Sequence, residues 1–275
     1  MAVITISRGS YSKGKEIAEK LAGKLKYECI SREIILEASE QFNIPEVKLI
    51  RAIHDAPSVL ERFTHGKEKF IAHIRRALLA HVAKDNIVYH GLAGHFFLRN
   101  VPHILKVRII ANLDDRVREE MKRENIPEDQ ARYLLRKDDE ERRKWSLHLF
   151  GIDAWDPSLY DVVLHIDSLG VDDAVDILFA IARRPCFQTT PESAGMLQDL
   201  VLAASVQAAL VNQYPTARVS SVAGAVLIQL DAPFYLQVAK NEDQERKLND
   251  QVNALVKGID GIQSIRLQVA PSSVR

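Results

Sequence analysis

A chain of 275 residues is long enough for one large domain, or for a medium domain with a smaller companion. With 47% hydrophobic and 27% charged residues it has the make-up of an ordinary globular protein, which excludes a disordered or fibrous one. Its 37 basic and 37 acidic residues balance, with seven and eight of them from Cys186 onward, so neither part carries the overall cationic excess of a nucleic-acid binder.

The chain begins Met1-Ala-Val-Ile-Thr-Ile, without a basic stretch leading into a long apolar core, so no signal peptide is expected. No run of eighteen consecutive apolar residues occurs; no membrane span is expected, and the location expected is cytoplasmic. Cys29 and Cys186 match no metal-ligand spacing and read as two buried free thiols.

Val3 to Ser7 is a β-branched run that predicts a buried strand. Gly14 to Leu25 follows with apolar residues at Ile17, Ala18, Leu21, Ala22 and Leu25, the spacing of a helix. Helices are predicted at Arg32 to Gln41 and over most of Pro45 to Ala83. Further strands are predicted at Asn86 to His90, Ile104 to Ala111 and Asp161 to Ile166. The charged stretch Asp114 to Lys144 predicts two helices broken at Ile126-Pro127, and Asp172 to Arg184 a last one. Strands alternating with helices imply an α/β unit with a parallel sheet flanked by helices.

Composition shifts at Arg184 to Pro191, so residues 1–185 read as the first domain, 186–196 as a linker and 197–275 as a second domain. The second predicts a helix over Gly195 to Asn212 and strands at Ala217 to Val222 and Ala225 to Leu230. An extended piece at Phe234 to Ala239, a helix at Glu242 to Lys257 and a strand at Ile262 to Val269 complete it. That order suggests a small α+β domain on a mostly antiparallel sheet.

The strongest local signal is Gly9-Ser10-Tyr11-Ser12-Lys13-Gly14-Lys15-Glu16, between a strand and a helix. A phosphate-cradling loop needs glycines where backbone N–H groups turn inward, a lysine for the β- and γ-phosphates, and the positive end of a helix. Glu16 stands where a Ser or Thr reaching magnesium is usual, with Ser10 and Ser12 as nearby hydroxyls. A plain strand–helix turn is the bland alternative.

Downstream, Arg132, Arg136 and Arg143 fall roughly on one helix face. They suit a lid whose cations neutralise a transferred phosphoryl group, or, more blandly, a solvated salt-bridged helix. The histidines show no metal-ligand spacing, and the metal ligands are left unassigned.

Taken together, several motifs resemble the cytidylate-kinase-like family of P-loop nucleoside monophosphate kinases. They are Ile6-Ser-Arg8, Lys15-Glu-Ile-Ala, Ser31-Arg32-Glu-Ile-Ile, Asp55-Ala-Pro-Ser58, Arg136-Lys-Asp-Asp139 with Arg142, and Trp155-Asp-Pro157 before Tyr160-Asp161. The resemblance runs from Ile4 to about Ile181 and accommodates Lys15-Glu16 as the end of the loop. It implies transfer of the γ-phosphoryl group of ATP, with Mg2+, to CMP or dCMP. Residues Gly9 to Glu16 would hold ATP, Lys15, Arg136 and Arg142 would be catalytic, and Arg32, Gly91, Leu92 and His95 would line the acceptor site. Leu92 departs from the family, where arginine commonly follows that glycine, and His95 replaces a small or acidic residue.

Those departures motivate two other readings, a nucleotide sensor without catalysis and a kinase for a small non-nucleotide metabolite. Residues Asp199 to Val269 resemble a BON domain, through Val206 to Leu210, Val219 to Leu230 with Gly224, and Val256-Lys-Gly-Ile-Asp-Gly-Ile262. This implies a regulatory partner or a homo-oligomer engaged through that domain.

Overall fold

The computed structural model describes residues 2–9, 12–31, 65–91, 94–231 and 242–270. The predicted helix at 32–41, the first part of the helical region 45–83 and the extended piece at 234–239 lie outside these residues.

The first unit is built on a five-stranded sheet in the order β2-β3-β1-β4-β5. Its strands are β1 (Val3–Arg8), β2 (Glu28–Ile30), β3 (Ile87–His90), β4 (Ile104–Ala111) and β5 (Val162–Ile166), and every neighbouring pair is parallel. Parallel neighbours need crossovers, which are supplied here largely by helices. The crossover helices are α1 (Gly14–Leu25), α2 (Gly66–Val82), the single-turn α3 (Gly94–Phe97), α4 (Leu113–Glu124) and α5 (Glu128–Phe150), while α6 (Val171–Ala182) follows the last strand.

Because side chains alternate across a strand, each central strand feeds two cores. Val3, Ile87, Tyr89 and Ile104 enter one with α2 and Trp145. Ile4, Ile6, Val88, Leu105 and Val107 enter the other with Ile17 and Leu21 of α1 and Leu178 of α6. Burial on both faces explains why these strands read as continuous apolar runs. β2 was not predicted: three residues beginning with a glutamate carry no period, and the segment is a strand because it pairs with β3.

The second unit holds α7 (Pro191–Leu210), β6 (Arg218–Val222), β7 (Ala225–Asp231), α8 (Glu242–Val256) and β8 (Ser264–Ala270), with strands in the order β6-β7-β8. β6 and β7 form an antiparallel hairpin, but β8 joins β7 in parallel, since α8 lies between them in the chain. The sheet is therefore mixed rather than mostly antiparallel. At the hairpin tip Ala223 and Gly224 have φ of 49° and 79°, the left-handed pair that a two-residue turn demands. Asp199 on α7 clamps this tip, accepting hydrogen bonds from Ser221 Oγ (2.7 Å), Ala223 N (2.8 Å) and Gly224 N (3.1 Å).

The connection between the units is tied down. Gln188 Nε2 donates to the Ala182 carbonyl at 2.8 Å, and Thr189 Oγ1 donates to Asp85 at 2.8 Å. Thr190 then caps α7 reciprocally with Ser193, and Pro191 takes the first helical position, so the helix begins inside the segment expected as linker. α7 serves both units. Leu197 and Ala204, flanked by Leu200 and Val201, enter the core around α2. Leu202, Val206 and Leu210 enter the core under the small sheet. Among the described residues, Pro185–Leu210 is the one stretch long and apolar enough to cross a membrane by length and composition; its apolar faces are occupied by these two cores. Of the two free cysteines expected to be buried, Cys29 is half-buried and Cys186 is exposed, because it sits in the connecting turn.

Candidate active site

The C-terminal ends of β1 and β4 and the first turn of α1 meet at one edge of the parallel sheet, where ligands of open α/β sheets ordinarily bind. Of the loop residues, Ser10 and Tyr11 lie outside the described residues. The others show what shapes it. Ser12 is buried, and its hydroxyl lies 3.0 Å from the Gly9 carbonyl oxygen and 3.1 Å from that of Ile109, so the loop is pinned to β4. Lys13 adopts φ 63° as it turns the chain into α1. A Cβ on Gly14 would lie 2.7 Å from Arg8 Cβ and 2.8 Å from its Cδ, so glycine is required there by close packing. At Gly9 a Cβ would meet only ordinary contacts, beginning at 3.7 Å from Asp139 Oδ1.

The lysines of the loop are held loosely. Lys13 Nζ lies 3.2 Å from Glu119, and Lys15 Nζ lies 3.6 Å from Glu19, with both partners largely exposed. Such pairs are weak, and flexible lysine stems give them up readily. Glu16 is likewise exposed and lies 3.4 Å from Lys20.

Two clefts open on either side of the strand β1 terminus. The outer one is lined by Lys13, Gly14, Lys15, Glu16 and Lys122 with Asp138. The inner one is lined by Ser7, Gly9, His95, Arg108, Arg116, Asp139 and Arg143, with Trp155 at its side. Arg8 and Arg142 line both, and Arg142 Nη1 donates to the Arg8 carbonyl at 3.3 Å.

The arginines differ in what holds them. Arg116, buried on α4, forms a 2.8 Å ion pair with Asp139 of α5. Arg143 grips Asp153 through Nε and Nη2, at 3.0 and 2.7 Å to one oxygen, and lies 4.6 Å over the Trp155 ring. The Arg143 hydrogen bond, with one from the Trp155 N–H, holds the Asp153 carboxyl below the usual range. Arg132 pairs with Asp114 and Glu128, away from either cleft, which makes it part of a salt-bridged surface. Arg136 is exposed on α5 and lines neither cleft.

Of the residues expected on the acceptor side, Arg32 and Leu92 lie outside the described residues. Gly91 donates its N–H to Ile6 O at 3.3 Å, and a Cβ there would come 2.5 Å from the Tyr89 hydroxyl, so its glycine is a packing requirement. His95 is buried on the inner cleft wall between Phe96 and Tyr160. Its Nε2 is 3.1 Å from the Tyr160 hydroxyl, which also contacts Ser7 Oγ at 3.2 Å and Ala154 O at 2.9 Å. Burial, reinforced by Arg108, Arg99 and Lys106, pushes the His95 imidazole down to about 3, so it is neutral at pH 7. Among the described residues no group of three or more His, Cys, Asp or Glu is arranged to hold a metal ion.

Arg108, Arg116 and Tyr160 were not assigned roles in the sequence reading. Arg116 carried a signal, an arginine one turn beyond a predicted strand end. Arg108 carried none, because within a strand pattern it reads as an outward-facing residue.

A profile of the "Cytidylate kinase-like family" matches residues 3–168, more than half of the chain. The chain belongs to the cytidylate kinase-like family. This member is a nucleotide kinase, and curated relatives agree with that class. It is 26% identical to a cytidylate kinase from Sulfolobus acidocaldarius over 66% of this chain and 94% of that one. A cytidylate kinase from Thermococcus kodakarensis is 30% identical over 38% of this chain and 52% of that one. A shikimate kinase from Bacteroides thetaiotaomicron superposes with a TM-score of 0.42 at 13% identity, over 66% of this chain and 99% of that one.

Proposed function

We propose that this family member transfers the γ-phosphoryl group of ATP to a nucleoside monophosphate, with CMP or dCMP as the acceptor. The observation that carries the reading is the placement of Arg142. It stands where the outer cleft beside the phosphate loop meets the inner cleft beside His95, with Arg8 on the same boundary. Phosphoryl transfer needs a cation between donor and acceptor, because charge spreads over the oxygens of the migrating group. In this reading the loop and the start of α1 hold the ATP phosphates, Lys15 swings from Glu19 to the β- and γ-oxygens, and the acceptor occupies the inner cleft. Arg136 would act only if α5 moved on closing.

The residues suit a triphosphate: Gly14 opens the N-terminus of α1, and six of the ten charged side chains lining the outer cleft are cationic. Magnesium is a different matter. Ser12, the described hydroxyl nearest the usual position, is turned inward to the carbonyls of Gly9 and Ile109. The ion would therefore be held mainly by phosphate oxygens and water, where it would neutralise charge on the transferred group.

The helix–strand–strand–helix–strand order of the second unit supports reading it as a BON-like module. Its shared helix suits a part that regulates or assembles the kinase. The test of function is ADP release from ATP and magnesium across a panel of nucleoside monophosphates, against a control without acceptor. Stimulation by CMP or dCMP, abolished in Lys15→Ala while the fold is kept, is the expected result. ATP binding without stimulation by any acceptor would replace this reading with a nucleotide sensor.

A further inference from the structure

The inner cleft contains a guanidinium that the family assignment does not explain. Arg108 lies in β4, half-buried, one residue before Ile109, whose carbonyl pins the phosphate loop. Its Nη1 donates to the Ala154 carbonyl at 2.6 Å and lies 3.4 Å from the Tyr160 hydroxyl, and its guanidinium sits 5.6 Å over the Tyr160 ring. Among the described residues, its hydrogen-bond and ring partners are all uncharged. The neighbouring cations differ: Arg116 has Asp139 and Arg143 has Asp153. Asp153 also feels Arg108, but its carboxylate is occupied by the two-nitrogen grip of Arg143.

A half-buried guanidinium fixed by neutral groups is costly unless an anion completes it, and its planar fork suits two phosphate oxygens. Its position selects which phosphate. Arg108 lines the inner cleft and not the outer cleft beside Lys13 and Lys15. The Tyr160 hydroxyl joins it to His95 on the same wall, and Ser7 braces that hydroxyl from β1. A phenol has one hydrogen, and Ala154 O can only accept. When Tyr160 donates to that carbonyl, the phenol oxygen is left to accept, and neutral His95 through Nε2, Ser7 through its hydroxyl and Arg108 face it as donors. Among the described residues, the arrangement orients Arg108 without neutralising it.

We infer that Arg108 binds the phosphate of the nucleoside monophosphate acceptor, with Tyr160 as the residue that positions it. This rests on the proposed kinase function and names the group that would anchor its acceptor. Arg108 binds ground-state phosphate, so its loss acts on acceptor KM before kcat, and Tyr160 acts only through it.

The experiment measures KM for CMP and for ATP in the wild type, Arg108→Lys, Arg108→Met and Tyr160→Phe, with direct CMP titration of each by calorimetry. Arg108→Met should raise acceptor KM and Kd by about 10- to 100-fold, the worth of one charged hydrogen-bonded contact. Arg108→Lys should recover part of this, Tyr160→Phe should lose a few-fold, and KM for ATP should hold within about twofold throughout. Melting curves of all three variants, the methionine one included, separate lost phosphate binding from a lost fold, and Arg108→Lys carries the test if Arg108→Met does not fold. An active wild type whose acceptor KM is unmoved by Arg108→Met, or whose ATP KM moves instead, overturns the Arg108 assignment alone. A wild type that neither binds nor phosphorylates any nucleoside monophosphate overturns it together with the kinase reading.

Discussion

Because α7 is shared, a cavity in the second unit should destabilise the first, and Leu210→Ala tests this. Leu210 is 0% exposed and packs with Val206, Ile228 and Val252 under the small sheet. Removing a fully buried leucine side chain costs about 3 kcal/mol when the cavity cannot collapse. If the second unit unfolded alone, α7 would leave with it, and the first core would lose Leu197 and Ala204 together with the cover of Leu200 and Val201. At about 1.5–3 kcal/mol for a fully buried large aliphatic side chain, that loss amounts to roughly 4 kcal/mol. It is a large share of the ~5–15 kcal/mol that keeps a domain folded. The two units should therefore unfold together. The chain has two tryptophans, Trp145 buried in the first core and Trp155 on the cleft rim, so tryptophan fluorescence, excited selectively over tyrosine, reports the first unit only. In urea, with a slope on the order of 3 kcal/mol per molar, Leu210→Ala should lower the fluorescence midpoint by about 1 M and the circular-dichroism midpoint equally. A fluorescence midpoint unchanged by Leu210→Ala, while circular dichroism shows an early transition, would refute the shared-helix reasoning.

Other consequences follow from single contacts. Gly14→Ala should cost about 1–3 kcal/mol and weaken ATP binding, since Arg8 Cβ has no free rotor with which to move aside; melting and ATP titration read the two effects. Asp199→Ala should cost about 2 kcal/mol in urea unfolding by removing the charged acceptor of three hydrogen bonds at the hairpin tip, with a smaller loss for Asp199→Asn. His95 and His73 are both pushed down by burial, to about 3 and about 4. The unfolded chain takes up protons before the folded one, so their contribution is complete above about pH 6.5 and declines as pH falls toward 4. The slope is up to ~1.4 kcal/mol per pH unit for each histidine. Melting temperatures at pH 7, 6 and 5 should fall steadily, and a flat profile would contradict neutral buried imidazoles.

Much of this protein is set by local pattern. The strands Ile104–Ala111 and Ile87–His90 are dense apolar runs because both faces of a parallel sheet are buried, a property visible in composition alone. The break between α4 and α5 at Ile126-Pro127 was legible for the same reason, since proline fixes its own dihedral and donates nothing. The phosphate loop was legible as a loop, but not which of its glycines is sterically required, because the collision at Gly14 comes from the Arg8 side chain. The arginine face expected on α5 separated only in three dimensions. Arg132 is matched by Asp114, eighteen residues earlier in the chain, whereas Arg143 pairs with Asp153 on the wall of the inner cleft.

Sequence by itself determined the alternation of strands and helices, the loop and the apolar character of α7, because these depend on neighbours within a few residues. Tertiary structure alone decided that β2 is a strand, that β8 runs parallel to β7, that Leu197 and Leu210 face different cores, and that Arg108 stands beside His95. Each of those depends on groups brought together from distant parts of the chain, and no local period encodes such a meeting.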